Sequence, residues 1–167
     1  MHAIEWKEEA LCLLDQRRLP LETVWIRCEV WQDVAEAISV MAVRGAPAIA
    51  ISAAWGLVLA LRAGADRRVA SAGLLAARPT AVNLRWALER LSTVPDSAVE
   101  EEARRIHDED LSINRALGDH GAPLLRGGVL HICNTGALAT SGHGTALGMI
   151  RSAHEQGRGV HLSLIHI

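Results

Sequence analysis

The stretch AIAISAAWGLVLAL, residues 48–61, contains no charged side chain and a single hydroxyl, Ser52. A surface helix needs a polar face; this segment offers none, so as a helix it must be covered on every side. Pro47 precedes it and suits a first helical turn, where its missing N–H costs nothing, and Arg62 closes it. The run falls short of the roughly 18 residues that would span a bilayer. A helix over 47–62 therefore belongs at the centre of a core, and the rest of the chain must wrap it. Half of the 167 residues are apolar, but there are five Trp and no Phe or Tyr. The core must be built from Leu, Ile, Val and Ala, which favours close helix packing.

The flanking segments supply the wrapping. AIEW and ALCLLDQ lie either side of KEE and read as a short hairpin, and TVWIRCEV, 23–30, alternates well enough for a third strand. Asp33 is expected to open a helix carrying Val34, Ala37, Ile38 and Met41 along one side, with RGAP interrupting it. A short helix ending near Ala77 and another over 81–92 are separated by RPT. The run 98–118 has the strongest helical pattern, with Val99, Ala103, Ile106, Ile113 and Leu117 on one stripe. Asp110 lies within that stripe, and burial would oblige it to be hydrogen-bonded or paired with an arginine. GVLHIC, 128–133, then reads as a strand, a Gly-rich loop follows, a helix runs from about Thr145 to Glu155, and GVHLSLI is a final strand.

Strand, Gly-rich loop, helix, strand is the order of a parallel βαβ unit. The expected class is therefore α/β. A mostly helical N-terminal domain with a small antiparallel sheet, residues 1–125, is followed by the first βαβ unit of a truncated Rossmann-like domain, 126–167. Two strands do not complete a parallel sheet, so this second domain is expected to be incomplete.

Charge narrows the function classes. Lys and Arg number 17 against 19 Asp and Glu, a formal net charge of −2. That balance makes no electrostatic case for nucleic acid or an acidic membrane surface. Cys12, Cys28 and Cys133 form neither a CxxC pair nor a zinc pattern, and MHAIEWKEEA lacks an apolar signal core. A cytoplasmic protein without a bound metal is the expectation.

Three segments combine a polar or cationic residue with a permissive backbone and a helix start: Arg44-Gly45-Ala46-Pro47, Arg78-Pro79-Thr80 and Cys133-Asn134-Thr135-Gly136. Free N–H groups at a helix start form an anion site, and a neighbouring guanidinium adds forked hydrogen bonds to phosphate oxygens. Each segment alone reads first as an ordinary turn with a solvated side chain. Cys133 falls at the C-terminal end of a strand, the edge beyond which open α/β sheets bind ligands. It is either a proton-transfer or nucleophilic thiol or a buried structural cysteine. Cys12 and Cys28 read as core. His131 and His143 flank the loop without a third metal ligand, and Gly136, Gly142, Gly144 and Gly148 do not form a dinucleotide-binding fingerprint.

Five spaced motifs are more specific together. LLDQRRLP, VRGAPAIAISAAWGL, ARPTAVNLRWAL, IHDEDLSINRALGDHGA and CNTGALATSGHGTALGMIR, in order from about residue 4 to 161, resemble the methylthioribose-1-phosphate isomerases of methionine salvage. Their wider family includes ribose-1,5-bisphosphate isomerases and regulatory subunits of a eukaryotic translation-initiation exchange factor. The resemblance implies an aldose–ketose isomerase that converts 5-methylthioribose 1-phosphate to 5-methylthioribulose 1-phosphate without a metal or organic cofactor. It carries substrate binding over to Arg44, Gly45, Ala46 and Arg78, and the active-site cysteine to Cys133. It further implies a homodimer for the full-length parent.

Two departures accompany the match. The family carries Thr-His before the cysteine, where this chain has His131-Ile132, and SLIHI replaces an acidic, Arg-containing continuation. The family's acid aspartate, an Asn-Lys pair and a substrate-holding glutamine lie further along and have no counterpart here. The expectation is an N-terminal fragment with negligible isomerase activity. The other reading is a non-catalytic regulatory subunit that binds a sugar phosphate or nucleotide.

Overall fold

Every side chain of the central helix from Ala48 to Ala60 is buried. This helix, α2 (Ala46–Arg62), is surrounded as its composition requires, and a computed structural model describes residues 2–164 around it. Three strands come first: β1 (Ile4–Lys7), β2 (Ala10–Leu14) and β3 (Trp25–Cys28) form an antiparallel sheet in that order. Helices α1 (Trp31–Ser39), α3 (Arg67–Ala77), α4 (Val82–Ser92) and α5 (Val99–Gly121) complete the wrapping. Close approach is possible because Gly56 sits on the contact face. A Cβ added there would lie 2.9 Å from Leu74 of α3 and 3.2 Å from Val34 of α1.

The β1–β2 hairpin turns through Glu8 and Glu9 alone, both at positive φ (47° and 62°). Such a two-residue turn matches the strand twist and fixes the register, with Glu5 opposite Cys12 and Trp6 opposite Leu11. Leu11 and Leu13 therefore enter the core, and Trp6 stacks on Trp55 of α2 with ring centroids 4.5 Å apart. The same register corrects one expectation. Cys28 is buried, and burial pushes its thiol up to about 12, but Cys12 stands opposite exposed Arg27 and is only half-buried.

Other differences are local. Helix α1 starts at Trp31, two residues before Asp33, whose carboxylate accepts from the backbone N–H groups of Glu29 and Val30. Met41 does not share its apolar side. It lies beyond the helix at φ 58° and is exposed, because the chain reverses there with the N–H groups of Ala42 and Val43 bonded to the Ala37 carbonyl. On α5 the stripe is half right. Val99, Ala103 and Ile106 are buried, but Ile113 is 65% and Leu117 41% exposed, so the helix leaves the core after two turns.

The carboxylate buried deepest on α5 is Glu102. It is held by Arg90 Nε at 2.6 Å and by Arg105, while Arg90 also reaches Glu109. After α5, strand β4 (Gly127–His131), helix α6 (Ala146–Glu155) and strand β5 (Val160–Leu164) make the expected βαβ unit, with β4 and β5 parallel. The α/β class is as read, while Ile165, the last residue of the expected final strand, lies outside the described residues. Among the described residues no helix is long and apolar enough to cross a membrane.

Where α2 meets α5, Trp55 Nε1 donates to His107 Nδ1 at 3.3 Å. Burial holds the His107 imidazole below its ordinary value of 6.5, and protonation would also set an N–H against the indole N–H. The unfolded chain thus binds this proton more readily than the folded one. The stabilisation is complete above 6.5 and is lost as pH falls towards the lower folded value, by at most about 1.4 kcal/mol per pH unit. Urea titrations between pH 7.5 and 5 should show His107→Gln, which keeps an acceptor for Trp55, losing less stability on acidification than the unaltered chain.

Candidate functional site

The residues singled out from sequence meet around one open cleft of about 510 Å³. Arg44, Gly45, Ala46 and Pro47 form one wall, Arg78 reaches it from the end of α3, and Cys133 and Asn134 form the opposite wall with Ala139, Thr140 and Thr145. These groups come from segments nearly 90 residues apart in the chain, about the distance from position 44 to 133.

Each side chain arrives for a local reason. Gly45 caps α2 at φ 99° and ψ 136°, a conformation that L side chains avoid, and no side chain caps the helix. The uncapped N–H groups of its first turn, with no acidic residue beside them, leave the positive end of a 17-residue helix facing the cleft. Gly45 also lets the other wall approach: a Cβ there would fall 2.5 Å from Ala139 Cβ and 2.8 Å from its carbonyl oxygen. Arg78 ends α3 in a non-helical conformation (φ −148°, ψ 82°), which turns it out of the helix.

Arginine pairing separates two groups. Arg17, Arg27, Arg62, Arg90 and Arg105 are each held by a carboxylate. Among the described residues Arg44, Arg68, Arg78, Arg85, Arg115, Arg126 and Arg158 have no such partner, and of these Arg44 and Arg78 line the cleft. Two uncommitted guanidiniums beside an uncapped helix start provide the donors and the charge that a phosphate group needs.

Cys133 lies two residues past the end of β4, exposed, with φ 79°. Positive φ is costly for a residue with a Cβ and places this side chain at the cleft rather than along the strand direction. The loop expected after it is present, and no helix starts directly at Cys133-Asn134-Thr135-Gly136. Only a three-residue 3-10 turn, Ala137–Ala139, follows, and α6 begins at Ala146. Its cap Thr145 lines the cleft, so the second helix start at the site is that of α6; the first turn of α4 does not contribute. Sequence reading missed Thr140 and Thr145 as well as Asn134 in this role. Their only signal was membership of the CNTGALATSGHGT loop.

The loop glycines are packing positions and do not line the cleft. Gly136 faces Leu147, Gly142 faces Leu111 and His2, and Gly148 faces His143. The two histidines are committed as well, His131 Nε2 to Thr135 Oγ1 at 3.2 Å and His143 Nε2 to Ser152 Oγ at 2.9 Å. Among the described residues no group of three or more His, Cys, Asp or Glu is placed to hold a metal ion.

Residues 42–165 match the model of the initiation factor 2 subunit family. The chain belongs to that family. It is 53% identical to methylthioribose-1-phosphate isomerase of Alkalilimnicola ehrlichii over 171 aligned residues, covering 92% of this chain and 49% of that protein. The enzyme of the same name from a Synechococcus species is also 53% identical, with 91% and 48% covered. The chain thus spans about half the length of the curated relatives it matches. Its fold superposes on crystalline 5-methylthioribose 1-phosphate isomerase from Pyrococcus horikoshii with a TM-score of 0.87 and 32% identity, covering 98% of this chain and 59% of that one. It also superposes on the translation initiation factor eIF-2B, subunit delta, from A. fulgidus with a TM-score of 0.81 and 36% identity, covering 98% and 54%.

Gly45 is where fold and cleft constrain each other most tightly. Gly45→Ala should lower stability by about 2–4 kcal/mol, from unfavourable φ and the Ala139 collision together. A thermal melt that shows no loss would mean the two walls do not approach as described.

Proposed function

We propose that this chain supplies the phosphosugar-binding half of a methylthioribose-1-phosphate isomerase site. One observation carries the reading: Arg44, Gly45, Ala46, Arg78 and Cys133 line a single cleft. Arg44, Arg78 and the start of α2 hold the phosphate, and Cys133 serves as the catalytic thiol.

The chemistry asks for this combination. In an aldose 1-phosphate the anomeric oxygen is locked in an ester, so the ring does not open as a free hemiacetal. Isomerisation needs assisted ring opening and movement of hydrogen between C1 and C2, with no change in overall formula. That requires a fixed phosphate and a group that takes or gives a proton beside the sugar carbons. A helix start and two guanidiniums supply the first. A thiol on the opposite wall is a candidate for the second, in concert with an acid that the resemblance locates beyond the matched segment. The purified chain by itself is accordingly expected to turn over 5-methylthioribose 1-phosphate negligibly.

In this reading the two walls belong to two domains, 1–125 and from 126 onward, with the cleft at their boundary. The whole protein works as a cytoplasmic homodimer on a small phosphosugar, without nucleic acid. A second reading, a non-catalytic regulatory subunit, has the A. fulgidus subunit delta superposition in its favour. The thiol in the cleft favours the enzyme, because a regulatory site needs to hold its ligand but not to move a proton.

Calorimetric titration with α-D-ribose 1-phosphate and 5-methylthioribose 1-phosphate tests the proposal. Arg44→Ala and Arg78→Ala should each weaken binding about tenfold or more, roughly 1.4 kcal/mol, whereas Cys133→Ala should leave affinity within about twofold. Unchanged affinity in both arginine variants would refute the assignment. Turnover by a protein of the relatives' full length, abolished by Cys133→Ala, separates enzyme from regulator.

A further inference from the structure

We infer that Asp110 is a positioning residue for this cleft: its carboxylate clamps the loop that forms the wall opposite α2. The inference rests on the reading of the cleft given above, but its geometry stands independently. On α5, Glu102 is neutralised by two arginines, whereas among the described residues no cation pairs with Asp110. Its Oδ2 instead accepts from the backbone N–H of Ser141 at 2.8 Å and from Asn114 Nδ2 at 3.0 Å. A carboxylate held only by dipolar donors binds them more tightly than a neutral acceptor would. One of its two donors is the main chain of a loop 31 residues away.

Among the described residues three hydrogen bonds tie that buried loop segment to the preceding chain. Ser141 is fully buried, yet its hydroxyl oxygen has no hydrogen-bond partner, so the main chain carries the attachment. Gln16 Nε2 donates to the Leu138 carbonyl at 2.7 Å, and His2 Nδ1 lies 3.2 Å from the Ser141 carbonyl. Between those two ties sit Ala139, in contact with Gly45, and Thr140, both lining the cleft. Asp110 contributes the charged tie of the three. It thereby sets how far the Cys133 side stands from the helix start and guanidiniums that face it, without touching the ligand itself.

Two measurements on the unmodified chain and on Asp110→Ala and Asp110→Asn decide the matter. Asparagine can place its oxygen where Oδ2 lies and accept from both donors, so it is the conservative variant. Hydrogen exchange in the absence of ligand should accelerate at the Ser141 amide at least a hundredfold in Asp110→Ala. Asparagine should restore it to within tenfold, and amides of β1–β3 should stay unchanged in both. Affinity for α-D-ribose 1-phosphate should fall about tenfold in Asp110→Ala, with Arg44 and Arg78 intact, and recover in Asp110→Asn. Unchanged Ser141 exchange in Asp110→Ala overturns the clamp, and accelerated exchange beside undiminished affinity overturns its positioning role. Because the exchange is read without ligand, it judges the clamp even if the sugar phosphate does not bind, a result that would count against the proposed function instead.

Discussion

The burial of α2 on every side is the constraint from which the rest of the molecule follows. A helix whose residues 48–60 are all covered cannot shift or fray without opening the core. Removing a single buried leucine from such a helix costs about 2–5 kcal/mol. The buried body therefore fixes the position of the exposed end. Gly45, Ala46 and Pro47 are held in place by the packing of the helix body behind them, and the uncapped N–H groups of the first turn, to which Pro47 contributes none, face the cleft with a fixed orientation. Rigid presentation of a dipolar end is the property that lets a helix start select an anion, since little ordering remains to be done on binding.

The opposite wall is built by other means. Its strand β4 contributes direction, but its shape comes from a loop whose backbone is tied down by Gln16, Asp110 and His2, one from each of three separate parts of the preceding chain. One wall is thus set by apolar packing and the other by polar ties, and they meet where Gly45 leaves room for Ala139. Charge is distributed to match. Among the described residues nine of the arginines are neutralised by carboxylates, and both arginines at the cleft belong to the rest, whose charge is uncommitted.

What could be read from sequence follows the range of the forces involved. The helix 46–62, the β1–β2 hairpin and the βαβ unit were legible, because periodicity and turn residues act over a few positions. The meeting of Arg44, Arg78 and Cys133 was anticipated from the spacing of motifs and from family resemblance, not from any local pattern. The outward placement of Cys12 was not legible: it depends on a two-residue turn made by Glu8 and Glu9, residue types that seldom occupy positive φ. The exposure of Ile113 and Leu117 escaped notice because helical spacing marks a stripe but not where its partner ends. The partners of Asp110, and the use of Thr145 of α6 at the cleft in place of α4, are long-range facts with no local signature.

The central claim is that one anionic sugar contacts both walls at once. Amide chemical-shift mapping during titration with α-D-ribose 1-phosphate tests it most directly. The account predicts concerted saturable shifts at Ala46 and Ala48 on one side and at Cys133, Thr140 and Thr145 on the other, all with one dissociation constant. Shifts confined to one wall, or centred on the small pocket lined by Arg115 and Arg151 elsewhere on the molecule, would contradict it.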